Sequence, residues 1–113
     1  MKLKEENIGH IKSFILEGRL DSISTPNIEK QIISAIDHGN TRLILDLGAL
    51  SYISSTGVRA LALIQKKINV CKGTLYLVDV SQTIRNVFQL TGVLTLFTMV
   101  KKSDVIYTPK EGE

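Results

Sequence analysis

The sequence predicts an α/β domain on a mixed, mostly parallel sheet, and three observations predict it. From Arg42 onward, short apolar runs alternate strictly with stretches of helical periodicity, the pattern of βαβ units with right-handed crossovers. The run Arg42-Leu43-Ile44-Leu45-Asp46-Leu47 is almost unbroken in its apolar character, as a strand is when both faces of its sheet are covered. Residues 2 to 17 read instead as two extended pieces around a turn, a hairpin that makes the sheet mixed. The predicted order is β-β-α-β-α-β-α-β, with helices packed on the sheet.

Each element has its own signal. A short strand around Leu3 ends at the turn-like Asn7-Ile8-Gly9, and His10 to Glu17 returns as the second strand. Thr25-Pro26 then starts a helix, threonine as cap and proline at the first helical position, where it loses no hydrogen bond. Ile28, Ile32, Ala35 and Ile36 form its apolar face, and Gly39 is its expected left-handed stop. After the Arg42–Leu47 strand, a second helix is expected from about Thr56 to Val70, with Val58, Leu61, Ala62, Ile64 and Ile68 inward. Thr74 to Val80 reads as the next strand. Ser81 caps a third helix with Ile84, Val87, Phe88 and Leu90 inward, stopped by Gly92. Leu96 to Val100 is the last strand, and Ser103 to Tyr107 fits a turn or two of terminal helix. One domain over residues 1–107 with a flexible tail at 108–113 is the expected organisation.

Composition excludes several functions. The formal charge of +3 is modest, and the basic residues are dispersed rather than gathered into the stripe of a nucleic-acid binder. With three Phe, three Tyr and no Trp, the core must be aliphatic. Cys71 is the single cysteine, so no intrachain disulfide or cysteine metal cluster forms; a small buried or half-buried apolar role is expected for it. The charged start Met1-Lys2-Leu3-Lys4-Glu5-Glu6 lacks the apolar core of a signal peptide, and no apolar run has the length to cross a bilayer, so a cytoplasmic protein without membrane insertion is expected. His10 and His38 are the only histidines, which leaves a serine nucleophile little to pair with. There is neither a Walker A loop nor a G-x-G-x-x-G, and Asp21, Asp46 and Asp79, near predicted strand ends, read as turn formers rather than a magnesium site. No cofactor and no catalytic residue is expected.

The chemically distinctive segment leaves the carboxyl end of the central strand: Tyr52-Ile53-Ser54-Ser55-Thr56-Gly57-Val58-Arg59. Sites in open α/β sheets cluster at such strand-to-helix loops. With Ser55 as helix cap, its hydroxyl would be exposed beside free amides at the positive end of the helix dipole. A phosphate placed there gains on the order of 1 kcal/mol of favourable electrostatics and adds nearly two negative charges to the surface. Simple capping accounts for the same residues. Gly57, without a side chain, is read as leaving the turn open to close approach.

The stretch Leu45-Asp46-Leu47 through Leu50-Ser51-Tyr52-Ile53-Ser54-Ser55-Thr56-Gly57-Val58 resembles the signature of STAS domains, specifically bacterial anti-sigma factor antagonists, whose run there is D-S-S-G or D-S-T-G. Gly18-Arg19-Leu20-Asp21 resembles the G-x-L/I-D after the family's second strand, and Val78-Asp79-Val80-Ser81 with Val87-Phe88-Gln89-Leu90-Thr91-Gly92 its fourth strand and third helix. The resemblance implies a STAS fold and a switch. In that family the serine after the Asp is phosphorylated by a serine kinase that is also the anti-sigma factor, and the matching residue, expected to be the switch, is Ser55. The dephosphorylated antagonist binds that kinase and frees a sigma factor, and a PP2C-type phosphatase restores it. Asp21, Ser22, Ser54, Ser55, Thr56, Gly57 and Arg59 are then the expected partner-binding residues. The family's Asp is replaced by Ser54, which leaves Thr56 and Ser54 as alternative acceptors. It also leaves open a docking subunit of a signalling or transport complex without a phosphorylation cycle, or a nucleotide-binding domain.

Overall fold

The computed structural model describes residues 1–107. The expected tail at 108–113 lies outside the described residues. The strands β1 (Lys2–Ile8), β2 (Ile11–Leu20), β3 (Arg42–Ile53), β4 (Thr74–Val78) and β5 (Thr98–Val100) lie in sequential order in one sheet. The first pair is antiparallel and the other three are parallel. The helices are α1 (Thr25–Asp37), α2 (Ser55–Val70), α3 (Gln82–Leu90) and a short α4 (Lys102–Tyr107).

The alternation of Leu43, Leu45 and Leu47 with Ile44 and Asp46 assigns the faces. The leucines pack with Ile28, Ile32 and Ile36 of α1, Leu61, Ile64 and Ile68 of α2, and Ile84 and Phe88 of α3, in one main core. Sequential strand order with right-handed crossovers requires those three helices on a single face. The opposite face carries a smaller cluster in which Ile11, Ile44 and Val78 are covered by Val105 of α4. There Lys102 reaches Glu6 at 3.6 Å and Asp46 at 3.3 Å. Burial pulls the Lys102 ammonium down, but the bonds to Asp46 and Glu6 outweigh it and hold the pKa above its ordinary value.

The structure corrects the sequence reading at several places. Strand β3 runs past Leu47 to Ile53, because its register against β2 shifts twice and each shift adds one residue on the β3 side. Beyond the bulges the inward residues are therefore Leu47, Leu50 and Ile53, three apart, and the two-residue alternation is lost. Asp46 is consequently inside the strand, its Oδ1 accepting from the Gly48 amide at 2.9 Å. Strand β4 stops at Val78, since Asp79 adopts φ +55. Leu90 was expected inward and is 87% exposed, because six residues beyond Ile84 lies on the far side of a helix. The segment before β5 is a 3-10 turn, Leu94–Leu96; Phe97 is buried with its ring 5.0 Å from that of Phe88, and only Thr98–Val100 joins the sheet. Helix α1 begins at Thr25, whose hydroxyl bonds back to the Asp21 carbonyl, so Ser24 and not Thr25 is the flanking residue. Its end is as expected: Gly39 takes φ +98, and the next amide, Asn40, reaches back to the Ala35 carbonyl at 3.0 Å. Cys71 follows α2 and is exposed, not buried.

Truncating Phe88, fully buried against the sheet and Phe97, is expected to cost about 3–5 kcal/mol in urea unfolding of Phe88→Ala. Leu90→Ala is expected to stay within about 0.5 kcal/mol of wild type in the same measurement.

Candidate functional site

The parallel pairing of β2 and β3 brings their carboxyl ends together, with Arg19 opposite Tyr52 and Leu20 opposite Ile53. Two loops leave from this edge, Asp21–Ser24 into α1 and Ser54 into α2. They are clasped at one atom, the carbonyl oxygen of Leu20. It accepts from the Ser54 amide at 2.9 Å and lies 3.3 Å from the Ser54 hydroxyl. The Ser54 Oγ also accepts from the Gly57 amide at 3.2 Å and so caps α2. Earlier on the same two strands, the Ser51 hydroxyl donates to the Gly18 carbonyl at 2.9 Å.

The cap of α2 is thus Ser54, and Ser55 is the first residue of the helix, a correction to the reading of Ser55 as cap. The exchange has a physical reason. Only a residue with extended backbone can turn its side chain onto the amide three positions on, and Ser54 has that geometry at ψ 171. Ser55 is left exposed, with no hydrogen bond to its hydroxyl among the described residues; Thr56 is half-buried. Gly57 is buried, and a Cβ there would come within 2.8 Å of both Ile53 Cγ1 and the Leu20 carbonyl oxygen. The close approach at this glycine is made by Leu20, not by an outside molecule. No acidic residue lies in the first turn of α2. Arg59, exposed, stands one turn on from Ser55 along the same helical face.

The neighbouring loop is organised by Asp21. Its Oδ1 accepts from the amides of Ser24 at 2.9 Å and Ile23 at 3.1 Å, with the Ser24 hydroxyl also 3.1 Å away. The bonds from Ser24, backbone first, hold the carboxyl below the ordinary aspartate value. Ser22 is exposed, and beside it Ile23 is 88% exposed, a large apolar side chain in water next to the Ser55 turn. The Arg19 guanidinium lies 4.1 Å above the Tyr52 ring on the same end of the sheet.

Of the residues singled out from the sequence, Asp21, Ser22, Ser54, Ser55, Thr56 and Arg59 all belong to this edge, and Gly57 is the buried contact beneath it. Sequence reasoning missed Ile23, Arg19 and Tyr52. An apolar residue between two serines in a turn could have marked Ile23; the Arg19–Tyr52 stack depends on a register that the bulges set, which the sequence does not display. No group of three or more His, Cys, Asp or Glu suited to a metal ion occurs among the described residues, and none of their helices is long and apolar enough to cross a membrane.

Comparison with known proteins identifies the family. The STAS domain family model matches residues 3–106, and the chain belongs to that family. A Bordetella bronchiseptica protein, BtrV, named as a candidate anti-sigma factor antagonist, is 32% identical over 104 residues, covering 92% of this chain and 90% of its own. The anti-sigma-B factor antagonist of Staphylococcus epidermidis is 27% identical over 107 residues, covering 93% of this chain and 99% of its own. The anti-sigma factor antagonist SpoIIAA of Bacillus superposes with a TM-score of 0.74 in both its unphosphorylated and its phosphorylated form. The first is 24% identical, covering 92% of each chain, and the second 25%, covering 93% of this chain and 96% of its own.

Ser54→Ala removes the cap and is expected to cost about 1 kcal/mol in denaturant unfolding, whereas Ser55→Ala is expected to change stability by less than about 0.5 kcal/mol. The Asp21 carboxyl is expected to titrate below 3.8 by NMR, and Ser24→Ala to raise its midpoint. Because the folded value is depressed, this interaction stabilises the fold above the ordinary aspartate pKa and is lost as pH falls through the folded value. The stability difference between wild type and Ser24→Ala is therefore expected to narrow on acidification through that range.

Proposed function

We propose that this chain is an anti-sigma factor antagonist whose docking edge, at the carboxyl ends of β2 and β3, binds an anti-sigma factor. Ser55 is its switch. A serine kinase that is also the anti-sigma factor phosphorylates Ser55; the unmodified chain sequesters that kinase and so releases a sigma factor; a PP2C-type phosphatase resets the cycle. The observation that carries the reading is the division of labour between two adjacent serines. Ser54 is engaged in capping α2 and holding Leu20, while Ser55 is exposed and its hydroxyl has no hydrogen-bond partner among the described residues. The acceptor position is thus available without any rearrangement, and Ser54, whose hydroxyl is committed to the fold, is disfavoured as the modified residue.

The same division accounts for Ser54 where the resemblance expects aspartate. Asp and Ser are near-equivalent N-caps, so the local structure survives the exchange. What is lost is one negative charge next to Ser55. The surface presented to a kinase is correspondingly less acidic, and the phosphoryl group, carrying about −1.5 to −2 charges, becomes the dominant negative feature of the edge. The names of the relatives, anti-sigma factor antagonists, and a SpoIIAA structure described as phosphorylated support the reading.

The test is peptide mapping by mass spectrometry after incubation with ATP and the purified serine kinases of the source organism. One phosphate on wild type, absent from Ser55→Ala, is the expected result. A phosphate retained in Ser55→Ala and lost in Thr56→Ala would move the switch by one residue. No phosphate with any of the kinases would overturn the cycle in favour of a constitutive docking subunit of a signalling or transport complex.

A further inference from the structure

We infer that the groove beside α2 is a second docking surface, continuous with the Ser55 edge, and that it takes an acidic amphipathic helix of the same partner protein. The inference rests on the reading of Ser55 as a partner-facing switch and names the chemistry of the partner segment lying next to it.

The groove has a volume of about 330 Å³, between α2 and the 3-10 turn Leu94–Leu96. Ala62, Leu63 and Leu96 give it an apolar lining, with Leu63 50% and Leu96 53% exposed. Scattered exposed leucines need no explanation, but two lining one concavity define a place where apolar surface is gained on contact. The charged residues that line it are Arg59 and Lys66, with no acidic residue among the lining groups. Gln65 adds a polar requirement. Its Nε2 donates to Asn69 Oδ1 at 2.9 Å, while its Oε1 is buried and has no partner among the described residues. An incoming donor would satisfy it.

The spacing gives the occupant its form. Arg59, Ala62, Leu63, Lys66 and Asn69 recur at intervals of one or three residues along one side of α2, so the groove follows the helix axis for about 15 Å. That length fits about three turns of a second helix laid alongside, with leucine-like residues on Leu63 and Leu96 and carboxylates toward Arg59 and Lys66. A second copy of this chain fits poorly, since a two-fold contact through this patch would set cationic rims against each other.

Continuity with the switch follows from Arg59, which both lines the groove and lies one turn from Ser55 on the same helical face. A phosphoryl group on Ser55 then competes with the partner's carboxylates for Arg59. The apolar part of the groove gives affinity in either state, and the Arg59 end makes that affinity sensitive to modification.

The test measures Kd for the purified serine kinases of the source organism by isothermal titration calorimetry, with wild type, Leu63→Asp and Lys66→Glu. Both substitutions fall on the surface, and circular dichroism melts check that the fold is kept. Leu63→Asp is expected to raise Kd by about tenfold or more. Lys66→Glu is expected to raise it by about threefold and to flatten its salt dependence. Kd within about twofold of wild type in both variants, for a kinase that phosphorylates Ser55, would overturn the groove and leave the switch standing. A self-association of the free protein that Leu63→Asp abolishes, with kinase affinity unchanged, would overturn it in favour of a second copy. Absence of any kinase that binds or modifies wild type would overturn the switch and the groove together.

Discussion

The Leu20 carbonyl oxygen holds together the end of this domain where β2 and β3 give way to their helices. It closes two contacts to Ser54, from the amide at 2.9 Å and the hydroxyl at 3.3 Å, across thirty-four residues of chain. Everything around it is arranged to keep that approach short. Ser54 must be extended to present both groups, which makes it the cap of α2. Gly57 must lack a side chain, because the space a Cβ would take is occupied by Leu20 and Ile53. The Asp21 turn begins at the next residue, fastened by three contacts to a single carboxylate oxygen. The result is two loops from different strands fixed relative to each other by buried or half-buried backbone, with exposed side chains free on top.

How much of this was legible depends on where a residue's role was written. The helices were, because capping chemistry and three-to-four spacing are local: Ile28, Ile32 and Ile36, or Val58, Leu61, Ile64 and Ile68, declare their faces without a partner. Strand β3 was legible only as far as Leu47. Past that point two bulges lengthen the inward interval from two residues to three, and a pattern of Leu47, Leu50 and Ile53 reads as loop to any period-two template. The same bulges set the register that stacks Arg19 on Tyr52, so that part of the surface was hidden for the same reason. Leu90 illustrates a different failure, hydrophobicity taken for burial without regard to its angular position on α3.

The candidate site was legible as a segment and misread in its internal division. A run of three hydroxyl residues before a glycine announces a helix start but not which hydroxyl caps it. The deciding information is tertiary, the position of the Leu20 carbonyl. Once that oxygen is fixed, Ser54 is committed, Ser55 is released to solvent, and the glycine is explained by packing rather than by access for a partner. The STAS resemblance had pointed to this segment and to Ser55, while the physical reason for that residue's exposure lay elsewhere in the chain.

A rigid edge constrains what kind of switch can operate on it. A modification changes a partner's affinity only through interactions that differ between the two states. The Ser55 hydroxyl makes no hydrogen bond among the described residues, so adding a group to it breaks nothing inside the domain. The helix start would stabilise a phosphoryl group through free amides and its dipole, and no acidic side chain in the first turn opposes it. On the proposed reading the domain therefore keeps its shape in both states, and the difference is felt by the partner as charge and bulk at one point of an otherwise unchanged surface. Such a device places few demands on the rest of the fold: it needs a clasp stiff enough to hold Ser55 at the surface, and it needs the contacts that give affinity to lie close enough, at Arg59 and beyond, for that charge to act on them.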